Sequence, residues 1–463
     1  MVGTPLFSAT ASAAEWEKPL TVAPSWAVPS SGQRTLAVGT ASYNGPLMNL
    51  TNTGSVGVEE IAWYGVWLFP GQRLEVRLST AKDFVLLLAD ENEVFAGADS
   101  VASGTESLSY SHDDYVTGPI VVWIGAGGFK GGSYTLRVSM TDAPVDPALA
   151  RIAGTDRYAT AVKASQDAFA AADTVIIATG ANFPDALAAA GLCGVYDAPL
   201  LLVPAASLPS AVSAEINRLG ATKAIIIGGT GSVSSNVQKA LAAKPALAGN
   251  VSRIAGVDRY HTARLVAEAM HTEMGTPLTE AIVVCGTNYA DALSASPLAY
   301  AANRPILLTP TKSAHSAVLS ALATIEAQNV TIIGGTTAVS VAAEQQIASK
   351  LGTPPRRWAG ADRFETACMV AENAVDAGDL SRDFIGYACG YGFPDGLSGG
   401  VASGRKGGAL LLTKSWLEPT PVAYYNTDSN GVTSSARVFG GSGVVWGNVL
   451  GMINSHFQFV GAP

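Results

Sequence analysis

Thr174-Val-Ile-Ile-Ala-Thr-Gly-Ala-Asn-Phe-Pro-Asp-Ala-Leu187 decides the fold of most of this chain. Its first six residues form a short, largely apolar run ending at Gly180, the pattern of a strand buried on both faces. Its last four open a helix. Pro184 suits the first turn, where its missing N–H costs nothing, and Asp185 complements the positive helix end.

Outward from this passage the sequence repeats itself. Gly180-Ala-Asn-Phe-Pro-Asp-Ala-Leu187 returns as Gly286-Thr-Asn-Tyr-Ala-Asp-Ala-Leu293 and Gly390-Tyr-Gly-Phe-Pro-Asp-Gly-Leu397. Ahead of it, Arg151-Ile-Ala-Gly-Thr-Asp-Arg-Tyr-Ala-Thr-Ala161 returns at Arg253–Ala263 and Arg357–Ala367, offsets of 102 and 104 residues. Behind it, Pro199-Leu-Leu-Leu-Val-Pro204 returns at Pro305–Pro310 and Ala409–Lys414, and Ile226-Ile-Gly-Gly229 at Ile332–Gly335 and Val438–Gly441. A period near 100 residues exceeds the roughly 20–50 of a solenoid unit, so each copy is a small domain with its own core. Apolar runs at Leu200–Val203 and Ala224–Ile227 alternate with helix-length stretches at 185–195 and 209–219. Alternation of this kind predicts a parallel sheet flanked by helices, Rossmann-like or flavodoxin-like. Asp156 is placed to cap the helix carrying Tyr158 and Ala161. The repeated blocks fall at the carboxyl ends of the strands, the usual ligand edge of open α/β sheets.

The blocks G-x-D-R-[YF]-x-T-A, N-[FY]-x-D-A-L, P-[IL]-L-L and I-I-G-G, in that order over about 151–461, resemble the type 2 cell wall binding repeats of Gram-positive surface and surface-layer proteins. The resemblance implies three copies in a pseudo-threefold ring. It also implies non-covalent binding of an anionic wall polysaccharide or teichoic-type polymer, by a secreted protein held at the cell wall. The domain reading is a signal remnant and extension at 1–34, an antiparallel β-sandwich at 35–142, and repeats at 151–250, 251–354 and 355–463. The C-terminal His456-Phe-Gln-Phe-Val-Gly-Ala-Pro463 shows no sorting motif, which suits attachment by binding.

For polymer contact, Arg157, Arg259 and Arg363 stand first, because a guanidinium offers a phosphate or carboxylate two parallel hydrogen bonds and keeps its charge. Asn182 and Asn288 can bond sugar hydroxyls, and Asp185, Asp291 and Asp395 complete the set. A competing reading pairs Arg157 internally with a recurring acid such as Asp185. The third copy departs from the others, with Gly392 for Asn, Ala409 and Lys414 for Pro, and Phe364 for Tyr. That points to two similar sites and one altered or purely structural copy.

No cofactor is expected: the Gly-Gly pairs lack the G-x-G-x-x-G spacing and no P-loop lysine follows. The five histidines form no metal-ligand spacing, and His261, where the other copies carry Ala159 and Glu365, reads as an exposed helix residue. No nucleophile elbow, zinc-protease helix or Cys–His pair appears, so neither a metal nor a catalytic residue is assigned. Cys193, Cys285, Cys368 and Cys389 read as small core residues.

Charge is unevenly spread. Residues 1–150 hold 15 acidic and 7 basic side chains, out of 37 and 28 in the chain, and the shift marks a boundary at the linker Ala143-Pro144-Val145-Asp146-Pro147. No basic stripe invites nucleic acid, and no apolar run reaches the about 20 residues of a membrane span. Ahead of the linker, Trp63–Phe69, Leu74–Leu78, Phe84–Leu88, Ile120–Ile124 and Tyr134–Val138 are strand-length runs. Gly-Gly-Ser-Tyr-Thr-Leu-Arg-Val138 resembles bacterial prepeptidase C-terminal domains. Trp16, Trp26, Trp63, Trp67 and Trp123 are read mostly as sandwich core, and Asp90, Asp99, Asp113 and Asp114 as solvated loop acids rather than calcium ligands. Phe7–Glu15, with Ala11-Ser12-Ala13, reads as a signal cleavage remnant. Two functional alternatives stand beside wall anchoring: a wall-active hydrolase, and a surface adhesin whose sandwich binds a host protein.

Overall fold

The computed structural model describes residues 146–429 and 431–457 and, ahead of them, nine strands between Val38 and Asp142. The expected signal remnant, Trp16, Trp26, Asp90, Asp113 and Asp114 lie outside the described residues, as do the side chains of Trp63, Trp67, Trp123 and Asp99. Two compact units are present: residues 1–145 with 446–455, and 146–445 with 456–463.

The first unit holds β1 (Val38–Thr40), β2 (Asn49–Val56), β3 (Glu60–Leu68), β4 (Gln72–Thr80), β5 (Val85–Ala89), β6 (Val94–Asp99), β7 (Gly104–His112), β8 (Ile120–Gly128) and β9 (Gly132–Asp142). They form two sheets, ordered β1-β3-β8-β5-β6 and β2-β9-β4-β7. Pairing is antiparallel except between β1 and β3. Leu74, Val76 and Leu78 alternate inward along β4 and meet Leu86, Leu88, Val122, Ile124, Leu136 and Val138 in the core.

The second unit begins with β10 (Leu149–Ile152), α1 (Arg157–Ala168), β11 (Thr174–Thr179), α2 (Pro184–Ala188), α3 (Ala190–Val195), β12 (Leu200–Val203), α4 (Ser210–Leu219), β13 (Lys223–Ile227) and α5 (Ser235–Ala242). The same order returns as β14 (Val251–Ile254), α6 (Arg259–Met274), β15 (Glu280–Cys285), α7 (Ala290–Ala301), β16 (Ile306–Thr309), α8 (Ser316–Thr324), β17 (Asn329–Ile333) and α9 (Val341–Leu351). The third round is β18 (Arg356–Trp358), α10 (Arg363–Asp376), β19 (Ser381–Cys389), α11 (Pro394–Arg405), β20 (Gly408–Thr413), α12 (Thr420–Asp428), β21 (Ser435–Phe439) and α13 (Gly447–Ser455), the last grouping with the first unit.

Each round builds a four-stranded parallel sheet, but sequence repeat and sheet are out of phase. The sheets run β12-β11-β13-β14, β16-β15-β17-β18 and β20-β19-β21-β10. The edge strand of every sheet is thus supplied by the residues that open the next repeat. The third sheet takes its edge from the start of the unit, Leu149–Ile152 pairing in register with Ala436–Phe439. Arg151 adds to this closure by donating from Nη1 to the Gly440 carbonyl at 2.8 Å.

At the centre, α3, α7 and α11 pack against one another. Many of their buried residues are Ala, Gly, Ser or Cys, which let the backbones approach closely. A Cβ on Gly404 would stand 2.7 Å from the Pro297 carbonyl oxygen, and one on Gly194 would overlap the Tyr300 carbonyl. All four cysteines are buried and free, Cys193 in this helix cluster.

Candidate polymer-binding site

The first repeated block explains itself locally. Asp156, Asp258 and Asp362 are helix N-caps, accepting from the backbone N–H of Ala159, His261 and Glu365 at 2.8–2.9 Å. Thr160, Thr262 and Thr366 each accept from the N–H of the block's glycine at 3.1 Å, folding the chain back on the helix. The arginine between them reaches out of the first turn. Arg157, Arg259 and Arg363 donate from Nη1 to the carbonyls of Gly180, Gly286 and Gly390 at 2.6, 2.7 and 2.6 Å.

Each of these guanidiniums also stands over an aromatic ring of the preceding repeat: Arg157 over Phe393, Arg259 over Phe183 and Arg363 over Tyr289, at 5.8–5.9 Å. The three rings meet on the pseudo-threefold axis, two pairs edge to face and the Tyr289–Phe393 pair tilted, with centroids 5.7–5.8 Å apart. The outcome is an aromatic triangle rimmed by three cations, with the exposed Asn182 and Asn288 nearby. Both asparagine carbonyls face local backbone, Asn182 accepting from Phe183 N–H at 2.9 Å and Asn288 from Ala290 N–H at 3.3 Å. Phe183, Tyr289 and Phe393 were not singled out from sequence, although each sits inside a repeated block. Their meeting is a property of the ring and not of one copy.

The aspartates face across the repeat boundary. Asp185 meets Arg259 and Thr262 of the second repeat, Asp291 meets Arg363 of the third, and Asp395 meets Arg157 and Thr160 of the first. Among the described residues no close ion pair joins these arginines and aspartates. The first glycine of each Gly-Gly pair seats the carboxylate. Gly228, Gly334 and Gly440 hold φ at 109°, 111° and 118°, and a Cβ on any of them would collide with Asp185, Asp291 or Asp395. Ser232 Oγ donates to Asp185 Oδ2 at 3.0 Å.

Burial raises all three carboxyls, Asp291 to about 6. A carboxyl raised on folding binds its proton more tightly in the native state. Its contribution is therefore unfavourable above the folded value and is relieved as pH falls towards the ordinary carboxylate range. Asp291→Asn is expected to stabilise the chain relative to wild type by on the order of 2 kcal/mol at pH 7.5, and the gap should fall to roughly a third of that by about pH 4.5. Urea midpoints at the two pH values check this. A gap that does not change with pH refutes it.

Between the first two repeats lies a cleft of about 280 Å³, lined by Asn182, Asp185, Ser232, Asp258, Arg259 and Thr262 among others. It brings three candidate binding residues to one opening. Beside it Asp258, His261 and His315 gather, one donor atom of each within 4.8 Å of the other two. Sequence spacing missed this group, since His315 lies on a different helix. The signal that finds it is repeat-wise: His261 replaces Ala159 and Glu365, and His315 replaces Pro209 and Pro419, both in the same copy.

The sequence profile of cell wall binding domain 2 (CWB2) matches residues 151–238, 253–344 and 357–450. Among curated proteins, N-acetylmuramoyl-L-alanine amidase LytC of Bacillus subtilis (strain 168) is 31% identical over 271 residues, 58% of this chain and 51% of its own. The amidase enhancer of the same organism is 30% identical over 292 residues, 62% of this chain and 38% of its own. The chain thus spans about half or less of the curated relatives it matches. Among solved structures, Cwp6 from Clostridium difficile superposes with a TM-score of 0.60 at 20% identity, covering 87% of this chain and 68% of that one. Cwp8 from the same organism gives 0.58 at 23% identity, covering 67% and 51%. Three profile matches, one to each sequence repeat, place the chain in the cell wall binding domain 2 family.

Proposed function

We propose that this chain holds itself at the bacterial cell wall without a covalent bond, by binding an anionic wall polysaccharide or teichoic-type polymer, and displays its N-terminal sandwich there. The observation that carries the reading is the rim of Arg157, Arg259 and Arg363. Each guanidinium is fixed by one N–H to a carbonyl and backed by a ring, which leaves further donors for phosphate or carboxylate. Three arginines spaced around one ring suit a polymer with repeating charge, because linked weak contacts gain avidity. Among the described residues no helix is long and apolar enough to cross a membrane.

The test is co-sedimentation of the full chain with purified envelope polymer, with soluble product followed in the same tubes. Retention should be strong near 0.05 M salt and fall steeply by about 0.5 M, as partly exposed charges are screened. No product should appear. Retention indifferent to salt would remove the anionic partner. Release of new chain ends would favour the wall hydrolase instead, a reading kept in view by the amidase name of one relative.

A further inference from the structure

Asp258 and His261 stand on the first turn of the second repeat's leading helix, and His315 caps the start of α8 opposite them. His261 Nδ1 lies 2.9 Å from Asp258 Oδ1. The two imidazoles meet nearly perpendicular, with centroids 5.3 Å apart, and Tyr260 stacks on His315 at 4.6 Å. Both histidines are half-buried, and Asp258 is exposed. We propose that Asp258, His261 and His315 form a divalent transition-metal site confined to the second repeat, on the border of the cleft between the first two.

Three arguments support the assignment. The donors already lie within 4.8 Å of one another. Zinc–nitrogen bonds of about 2.0–2.1 Å in a tetrahedron require roughly 3.4 Å between donors, so side-chain rotation of about an ångström closes the shell. Second, Asp258 and His261 stand three residues apart at the start of one helix and already meet at 2.9 Å, so a single ion can take one donor from each. Third, the two histidines enter together. Repeats one and three carry Ala159 and Pro209, and Glu365 and Pro419, at these places, so neither histidine serves the common fold. Two imidazoles and one carboxylate select zinc, nickel or copper over magnesium or calcium, which take oxygen ligands. Water completes the shell. His315 Nδ1 accepts from Ala317 N–H at 3.2 Å, so a metal on the other ring nitrogen exchanges this long helix cap for a coordination bond.

The fold itself supplies mild variants, since His261→Ala and His315→Pro install the residues of the first repeat. The full chain, freed of metal, is titrated with Zn²⁺ by calorimetry, with Mg²⁺ and Ca²⁺ for comparison, and with Co²⁺ by absorption. One equivalent of Zn²⁺ should bind to wild type, each variant should bind about 100-fold more weakly, and Mg²⁺ and Ca²⁺ should not compete. The Co²⁺ spectrum should lack a thiolate charge-transfer band, which separates this site from the four cysteines. Undiminished binding in the double variant, a thiolate band, or no Zn²⁺ uptake by wild type at millimolar metal overturns the proposal.

Discussion

Replacing Arg157, Arg259 and Arg363 together with glutamine should cut retention on wall polymer by about 10²–10⁴, while single replacements should cost roughly tenfold each. A guanidinium has five N–H donors, and the structure commits one of each to a glycine carbonyl. What remains points to the rim and carries a permanent charge. Glutamine keeps a donor for the carbonyl but removes the charge and the fork, so polymer contact is lost more than fold. The lysine triple variant should fall between, holding charge without bidentate geometry. The same variants decide between the two roles left open for these arginines. If they serve only as internal partners of Asp185, Asp291 and Asp395, the triple variant will melt earlier yet bind polymer as before. Thermal unfolding and co-sedimentation on one preparation distinguish the outcomes, and unchanged retention by a folded triple variant defeats the ligand role.

The second large effect is on the ring. Gly194→Val should destabilise the repeat unit by more than about 3 kcal/mol, and Gly404→Val by a similar amount. At both places the new side chain meets a carbonyl of α7 and not the end of a flexible side chain, so relief requires one helix to move off another. The gain of up to about 1 kcal/mol from replacing glycine within a helix is too small to compensate. Gly392→Asn is the control. The nearest atom to a Cβ there is Pro394 Cδ at 4.0 Å, and the change restores the residue of the other two copies. Urea midpoints for the three variants test the contrast. A Gly194→Val chain as stable as wild type would defeat the close packing of α3 on α7 as the constraint.

These expectations rest on features that differ in how far the letters alone reveal them. Thr174–Thr179 and the Pro184 helix start were legible because period and turn chemistry agree there, and the structure has β11 and Pro184 in those roles. In the sandwich, the runs at Trp63, Leu74, Phe84, Ile120 and Tyr134 became β3, β4, β5, β8 and β9. β2 and β7 escaped notice because Asn49–Val56 and Gly104–His112 are rich in Ser, Thr and Gly, the composition of turns. Both lie at the edges of their sheet, where less apolar surface is needed. The partnering of elements was not legible. Nothing in Arg253–Ala263 says that its first residues complete the preceding sheet, or that Arg259 faces Asp185 and not Asp291. The Gly-Gly pairs, suggestive of phosphate, instead make room for a carboxylate.

The clasp between Leu149–Ile152 and Ala436–Phe439 has a mechanical meaning. A pull on the chain ahead of Asp146 reaches the repeat unit at this short parallel joint. Drawn along the strand axis, the paired positions and the Arg151 tie resist as a group; peeled sideways, they yield one by one. Direction of traction therefore sets whether the ring stays shut or the third sheet is stripped of an edge while the polypeptide stays continuous with α1.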